Sequence, residues 1–365
     1  MTNEIKSSIS EHIESAEIVL PCKDLNETVD FFTERLGFRL KMIFPADSPN
    51  IAVVSGYGIT MRFETKLEVV KTPFVLRLLC DVSSLNDETQ NEIFSPDGMR
   101  LELVDAKKQF DLPTGTQEFV LSRMSDEDVW ETGRAEMQYR DLIPSRLGGR
   151  FIASHIRIPG GGEVPDYVHF HKIRFQMIYC KAGWAKLVYE DQGEPFLFKE
   201  GDCVLQPPEM RHRVLETSEA FEVIEIGCPA VHETFADHEL ELPTKEILPE
   251  KIFGGQHFVR HIAAEAVWTK SPTQGLEIRN TGIGKATNGL AEVRVVKSIN
   301  AANLSAKHSG EFLFFFVLKG ELELNIGESE NHQLKSGDSC VIPAETAYNL
   351  HFIKGVEMLE VFLAN

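Results

Sequence analysis

The chain repeats itself at a spacing of about 138 residues, and this constrains its fold more than any other feature. Val129-Trp130 recurs as Val267-Trp268, an offset of 138. Arg140 recurs as Arg279 at 139, and Gly149 as Gly289 at 140. Further on, FKEGDCVLQPP from Phe198 matches LKSGDSCVIPA from Leu334, which pairs Gly201 with Gly337 and Pro207 with Pro343 at 136. Several ordered blocks with a slowly drifting offset are what a duplicated domain with small loop changes produces. Two related modules therefore fill the chain from about Asp128 to its end. Within the first, VHFHKI, RFQMIYCK, AKLVYED and EPFLFKE are short runs separated by Gly, Pro and acidic turns, the pattern of strands. Helix signals are almost absent, so each module is expected to be a small antiparallel barrel or jelly roll. Such a barrel keeps one row of side chains inside and the alternate row outside.

The residues before about 115 read differently. Asp24 is a helix N-cap with Glu27 completing a capping box. Leu25, Val29, Phe32 and Leu36 then share one helical face, and Gly37 stops it. EIVL, FRLKMIF, NIAVVSG and ITMRFE around this helix read as strands. The order of strand, helix and three strands, centred on DLNETVDFFTERLGF, resembles the vicinal oxygen chelate (glyoxalase and bleomycin-resistance) family. TPFVLRLLCDV followed by SPDGMRLELVD resembles part of a second such unit. The resemblance places metal-ligand positions near Glu17, Glu64 and Glu102, with Arg77 near the fourth, and this incomplete set points to a structural role. The division expected is 1–115, 116–240 and 241–365.

Composition excludes some functions. With 42% hydrophobic and 25% charged residues among 365, the chain is globular. A net charge of −19 argues against a nucleic-acid partner, which needs clustered Lys and Arg. No apolar run reaches the roughly 18 residues of a membrane helix, so no membrane partner is expected. The polar start MTNEIKSSISEHIE lacks a signal-peptide core, so a cytoplasmic location is expected. The six cysteines are scattered without a CxxC pair and read as reduced thiols.

The strongest chemical signal lies in the first barrel module. Gly162 is followed by His169-Phe170-His171, then Gln176 and Gly183. Gly201-Asp202, Pro207 and His212 come later. His169 and His171 are two apart, so on a strand both point to one face. Gln176 stands past a tight turn, and His212 arrives from another strand. Three imidazoles and an amide oxygen suit a divalent transition metal.

These segments resemble the cupin superfamily, whose first motif is G(X)5–6HXH(X)3–4E(X)6G and whose second is G(X)5PXG(X)2H. Two positions depart from it: Gln176 stands for the usual Glu, and Glu209 for the second motif's Gly. The resemblance implies two tandem cupin barrels, one metal per chain on His169, His171, Gln176 and His212, and iron(II) first among the metals, with Ni, Mn, Zn or Cu as alternatives. A neutral amide leaves the ion's charge on the site, which should attract an anionic chelating small molecule. Tyr167, Arg157 and Arg174 lie near the histidines in sequence and are candidate substrate contacts. His232 and His238 read as solvated loop residues, and the acidic run from His238 as a linker.

In the second module His308 takes the place of His169. Gly310, Phe315 and Tyr348 take the places of His171, Gln176 and His212. No metal is expected there, and FLFFFVL from Phe312 reads as barrel core. The fold class is thus mainly β, two barrels after a small α+β domain, with a homodimer expected. Two functions follow: an iron(II) dioxygenase acting on a small anionic or chelating compound, or a non-catalytic metal- or ligand-binding bicupin.

Overall fold

The computed structural model describes residues 13–35, 37–56, 58–67, 75–80, 92–94, 100–105, 110–125, 129–327 and 330–365. Leu36, Asp128 and the first twelve residues, on which parts of the sequence reading rest, lie outside them. Two compact units form: residues up to Phe110 with His232–Glu239, and Asp111–Val231 with Leu240–Asn365.

In the first unit, β1 (Ile13–Pro21) leads into helix α1 (Leu25–Asp30), which Asp24 caps by accepting from the Glu27 amide at 2.9 Å. Strands β2 (Arg39–Phe44), β3 (Ile51–Gly56) and β4 (Ile59–Glu64) follow. They pair in the order β2–β3–β4, and β4 runs parallel to β1. Leu25, Val29 and Phe32 pack against Ala52, Val54 and Phe63, the helical face expected from the spacing. Strand β5 (Val75–Cys80) lies antiparallel to β1 and parallel to β7 (Arg100–Asp105), which β6 (Glu92–Phe94) joins. The register sets Arg77 opposite both Glu17 and Glu102. Its guanidinium lies 3.2 Å from Glu17 and 3.5 Å from Glu102. A fixed side-chain cation thus stands between two of the carboxylates that the resemblance offered as ligands, while Glu64 pairs with Arg62.

The run from His232 departs from the sequence reading. Thr234–Ala236 forms a strand antiparallel to β2, through Met42↔Phe235 and Ile43↔Thr234. His232 is buried, and His238 Nε2 donates to the Leu40 carbonyl at 2.6 Å. Turn-like composition hid a strand because its pairing partner lies about 190 positions away, beyond the reach of local propensity.

The second unit contains both modules, and each takes a strand from the chain preceding the other. In the first module, β9 (Ile152–Ile158), β11 (Phe175–Ala182), β13 (Cys203–Leu205) and β15 (Phe221–Cys228) form one sheet. Strands β10 (His169–His171), β12 (Trp184–Tyr189) and β14 (His212–Thr217) belong to the facing one. In the second module, β17 (Ala291–Ser298), β18 (Phe312–Lys319), β19 (Ser339–Val341) and β20 (Glu357–Leu363) form the matching sheet. Strand β8 (Val120–Ser122) precedes the first module but pairs with β19 of the second. Its repeat, β16 (Val259–His261), precedes the second module and pairs with β13 of the first.

The repeated residues fasten this exchange. Asp202 accepts from the amides of Lys199 and Ala263 at 2.9 and 2.8 Å, and Asp338 from those of Lys335 and Met124 at 3.0 and 2.7 Å. Arg279 donates to the Gly201 carbonyl at 3.2 Å, and Arg140 to the Gly337 carbonyl at 2.7 Å. Both glycines have a positive φ, +88° and +91°, and a Cβ on either would come within 2.9 Å of Ala263 or Met124, two residues past the incoming strand. The Gly-Asp pair is thus repeated because it receives a strand from the other module, and the Arg because it ties the turn down.

Between the modules lies one apolar core. Phe175, Met177, Tyr179, Ile224 and Ile226 meet Val293, Val295, Phe312, Phe314, Phe316 and Leu359 there. Phe151 stacks on Phe312 with ring centroids 4.2 Å apart. The alternate residues of β18, Leu313, Phe315 and Val317, fill the second barrel instead. FLFFFVL is apolar throughout because both faces of the strand are covered.

Gly337→Ala should destabilise the protein by about 2 kcal/mol, from left-handed strain and the Met124 contact. Gly201→Ala should cost about as much. A denaturation midpoint unchanged in both variants would show that the exchanged strands are not held at these turns.

Candidate metal centre

Cross-strand register builds the site. His169 on β10 faces His212 on β14 as a direct pair, and Tyr189 on β12 faces His212 from the other side. Directly opposed side chains are the closest neighbours two strands can make. The strand period brings His171 to the same interior face. Ring centroids of His169 and His212 are 4.2 Å apart, and His171 lies 5.2 Å from each. One nitrogen from each ring can be chosen so that all three lie within 4.8 Å of one another. All three residues are buried.

The hydrogen bonds of two rings select which nitrogen is available. His169 Nδ1 donates to the Tyr167 carbonyl at 2.8 Å, and His212 Nδ1 to the Met210 carbonyl at 2.9 Å. A carbonyl only accepts, so each Nδ1 carries the hydrogen and each Nε2 keeps its lone pair. Burial, and then the charges of Arg134 and His212, hold the His169 pKa well below the ordinary imidazole value. Burial pushes His212 down to about 4. Neutral rings are the form that binds metal.

Gln176 lies on β11, on the face that carries Ile178 and Cys180 into the first barrel's interior beside Tyr189. Its Nε2 donates to Glu225 Oε1 at 2.9 Å, and its Oε1 is buried without a partner. A carboxylate accepts only, so Glu225 fixes which end of the amide is the nitrogen. An orphaned buried oxygen costs about 1–3 kcal/mol, and a metal would satisfy it. The donor set, three imidazoles and one carbonyl-type oxygen, therefore fits a divalent transition ion. The sequence reading had the cation without an anionic neighbour. Glu225 supplies a carboxylate one hydrogen bond behind Gln176, from a strand that the motif does not include.

Two further residues reach the site unannounced. Arg134 sits on a turn at Arg134–Glu136, and its Nη2 lies 3.0 Å from His169 Nε2. Asp166 pairs with the same guanidinium. The motif does not specify Asp166, which falls at one of its variable positions, and Arg134 comes near only when its turn folds against β10. Of the sequence candidates for substrate contact, Tyr167 lies edge-on to His169 at 5.9 Å. Arg157 is on the opposite face of β9 from the interior residue Ile156; it donates to Gln138 at 2.8 Å and lies 3.9 Å above the Trp130 ring. Arg174 pairs with Glu311 of the second module.

The equivalent place in the second barrel is built from other groups. His308 Nε2 donates to the Ile342 carbonyl at 2.9 Å, and Phe315 packs against Tyr348 at 5.7 Å. A Cβ on Gly310 would collide with Phe362.

The fold and site together define a mainly β protein of two interlocked barrels with a histidine triad in the first. Residues 300–362, in the second barrel, match the family model of the cupin domain. The oxalate decarboxylase of Bacillus subtilis, in a deletion mutant, superposes with a TM-score of 0.51 at 13% identity over 69% of this chain and 79% of that one. The Lactobacillus farciminis oxalate decarboxylase, in a formate complex, gives 0.50 at 14% identity over 69% and 88%. No curated protein matches the chain significantly. The chain carries the cupin fold, and the decarboxylase likeness is one of architecture. Among the described residues no helix is long and apolar enough to cross a membrane.

Two outcomes test the site. In unfolded chain the His212 imidazole titrates near 6.5, so between that value and about 4 the unfolded state binds the extra proton. Stability is therefore complete above pH 6.5 and declines as pH falls toward 4. Chelator-treated protein should lose about 2 kcal/mol through this residue between pH 7 and 5, seen as a falling denaturation midpoint. A flat midpoint would mean a solvated ring. Separately, Glu225→Ala should lower zinc or manganese affinity roughly tenfold to a hundredfold, and unchanged affinity would detach Glu225 from the site.

Proposed function

We propose that the first barrel holds one divalent transition metal on His169, His171, His212 and Gln176, and that the loaded site is a metal-dependent enzyme acting on a small anionic or chelating organic substrate. The observation that carries this reading is the triad itself: three buried rings within reach of one ion, two of them held by backbone carbonyls so that Nε2 keeps its lone pair. One solved structure with this fold, again the B. subtilis decarboxylase, is described by its Mn(II) centres, which supports a divalent ion in such a barrel.

Iron(II) dioxygenase chemistry is the specific activity proposed. A bound iron(II) would supply the electrons through which O2 reacts with a chelated organic compound. The chain's own part is to keep the pocket dry, to hold the His169 and His212 imidazoles neutral, and to present Tyr167 beside the reacting molecule. Four protein donors would leave room on such an ion for a chelating substrate.

Protein purified without chelators should carry about one transition metal per chain, and His212→Ala should remove it. Metal near zero, or unchanged in that variant, would overturn the reading. Anaerobic loading with iron(II), followed by catechols, β-diketones and hydroxy acids in air, should give O2 uptake with at least one of them. Thermal stabilisation by a compound without O2 uptake would instead identify a binding protein.

A further inference from the structure

We infer that Arg134 is the carboxylate anchor of this pocket: it competes with the metal for the His169 Nε2 lone pair, and with the metal in place it binds the substrate's carboxylate beside the ion. The inference rests on the metal reading above and specifies the substrate class.

The guanidinium has two usable sides. Asp166 takes Nη1 and is itself fixed, since its oxygens accept from the Tyr167 and Val214 amides, each at 2.9 Å. The other edge is formed by Nε and Nη2. Nη2 lies 3.0 Å from His169 Nε2, and Nε is buried without any acceptor. The Arg134 side chain is only 10% exposed and that of Asp166 is fully buried, so water cannot readily serve this edge.

A lone pair holds one strong partner at a time. A metal on His169 Nε2 must displace the Arg134 hydrogen bond. The displaced edge then has two parallel N–H donors next to the ion. Two parallel donors match the two oxygens of a carboxylate. Asp166 offsets the guanidinium's charge but leaves this edge unfilled. The substrate class that satisfies both centres is a carboxylate with a second oxygen donor close enough to reach the metal, such as a hydroxy, oxo or phenolic acid.

The internal repeat supplies an independent comparison. At an offset of 138, Arg134 falls on Pro272, and at 139, Asp166 falls on Ser305. The module in which the triad is replaced carries neither residue at these positions; its own guanidinium–carboxylate pair, Arg294 with Glu360 at 2.6 Å, is built from other strands.

The test uses the full chain, with manganese or zinc added alone and then with lactate, pyruvate and 2-hydroxybenzoate against the carboxylate-free catechol. Arg134→Gln should bind the metal about tenfold more tightly, because a competing donor and a positive charge are gone. In the loaded variant the best-bound carboxylate should weaken at least about tenfold, while catechol changes less than about threefold. Arg134→Lys keeps the charge without the two-donor edge and should lose the carboxylate while still folding and binding metal. Wild-type protein that binds no metal overturns the metal reading and this inference together. Metal-loaded wild type that binds none of the three acids, or a Gln variant with unchanged carboxylate affinity or weaker metal binding, overturns the inference alone.

Discussion

Reciprocal donation of strands between the two modules is the constraint on which the rest of this unit depends. Each barrel sheet is completed by a strand that enters from the chain ahead of the other barrel. Neither sheet is complete alone, so the modules fold as one body around a common core of aromatic and branched residues. The Gly-Asp turns are the fasteners. A carboxylate accepts two amides, one from its own turn and one from the incoming chain, and an arginine ties the turn's carbonyl down. Burying such polar groups is tolerable because most of their strong donors and acceptors are met.

The interlock also explains how one barrel can lose its ligands without loss of the fold. Strand β18 turns Phe312, Phe314 and Phe316 toward the shared core and Leu313, Phe315 and Val317 into its own barrel. Its interior is filled with apolar side chains, whereas the first barrel combines an apolar cluster that includes Leu187, Val204 and Val223 with three buried histidines. This apolar packing leaves the imidazoles buried. That desolvation holds the rings neutral and makes a nearby guanidinium and carboxylate effective at short range.

Much of this was legible in the chain. The drifting repeat announced two modules, the strand period put His169 and His171 on one face, and the capping residue before Leu25 located the helix. These readings succeeded because each depends on near neighbours or on a repeat that persists through loop changes. Glu225, Arg134 and Asp166 were not legible. Glu225 and Arg134 come from elements outside the motif, Asp166 falls at one of the motif's unspecified positions, and none stands at a spacing that marks it. The strand at Thr234–Ala236 was missed for the same reason, because its pairing partner is remote. Arg157 and Arg174, chosen for nearness along the chain, have partners of their own at Gln138 and Glu311.

The sequence by itself determined the number of modules, their strand-rich character and the chemical type of the candidate ligands, since periodicity, composition and turn residues act locally. Tertiary structure alone decided which strands close which barrel, which nitrogen of His169 and of His212 is available, and which charges stand behind the imidazoles. Those properties depend on hydrogen-bond partners and dielectric surroundings, and both are set by residues brought together from distant parts of the chain.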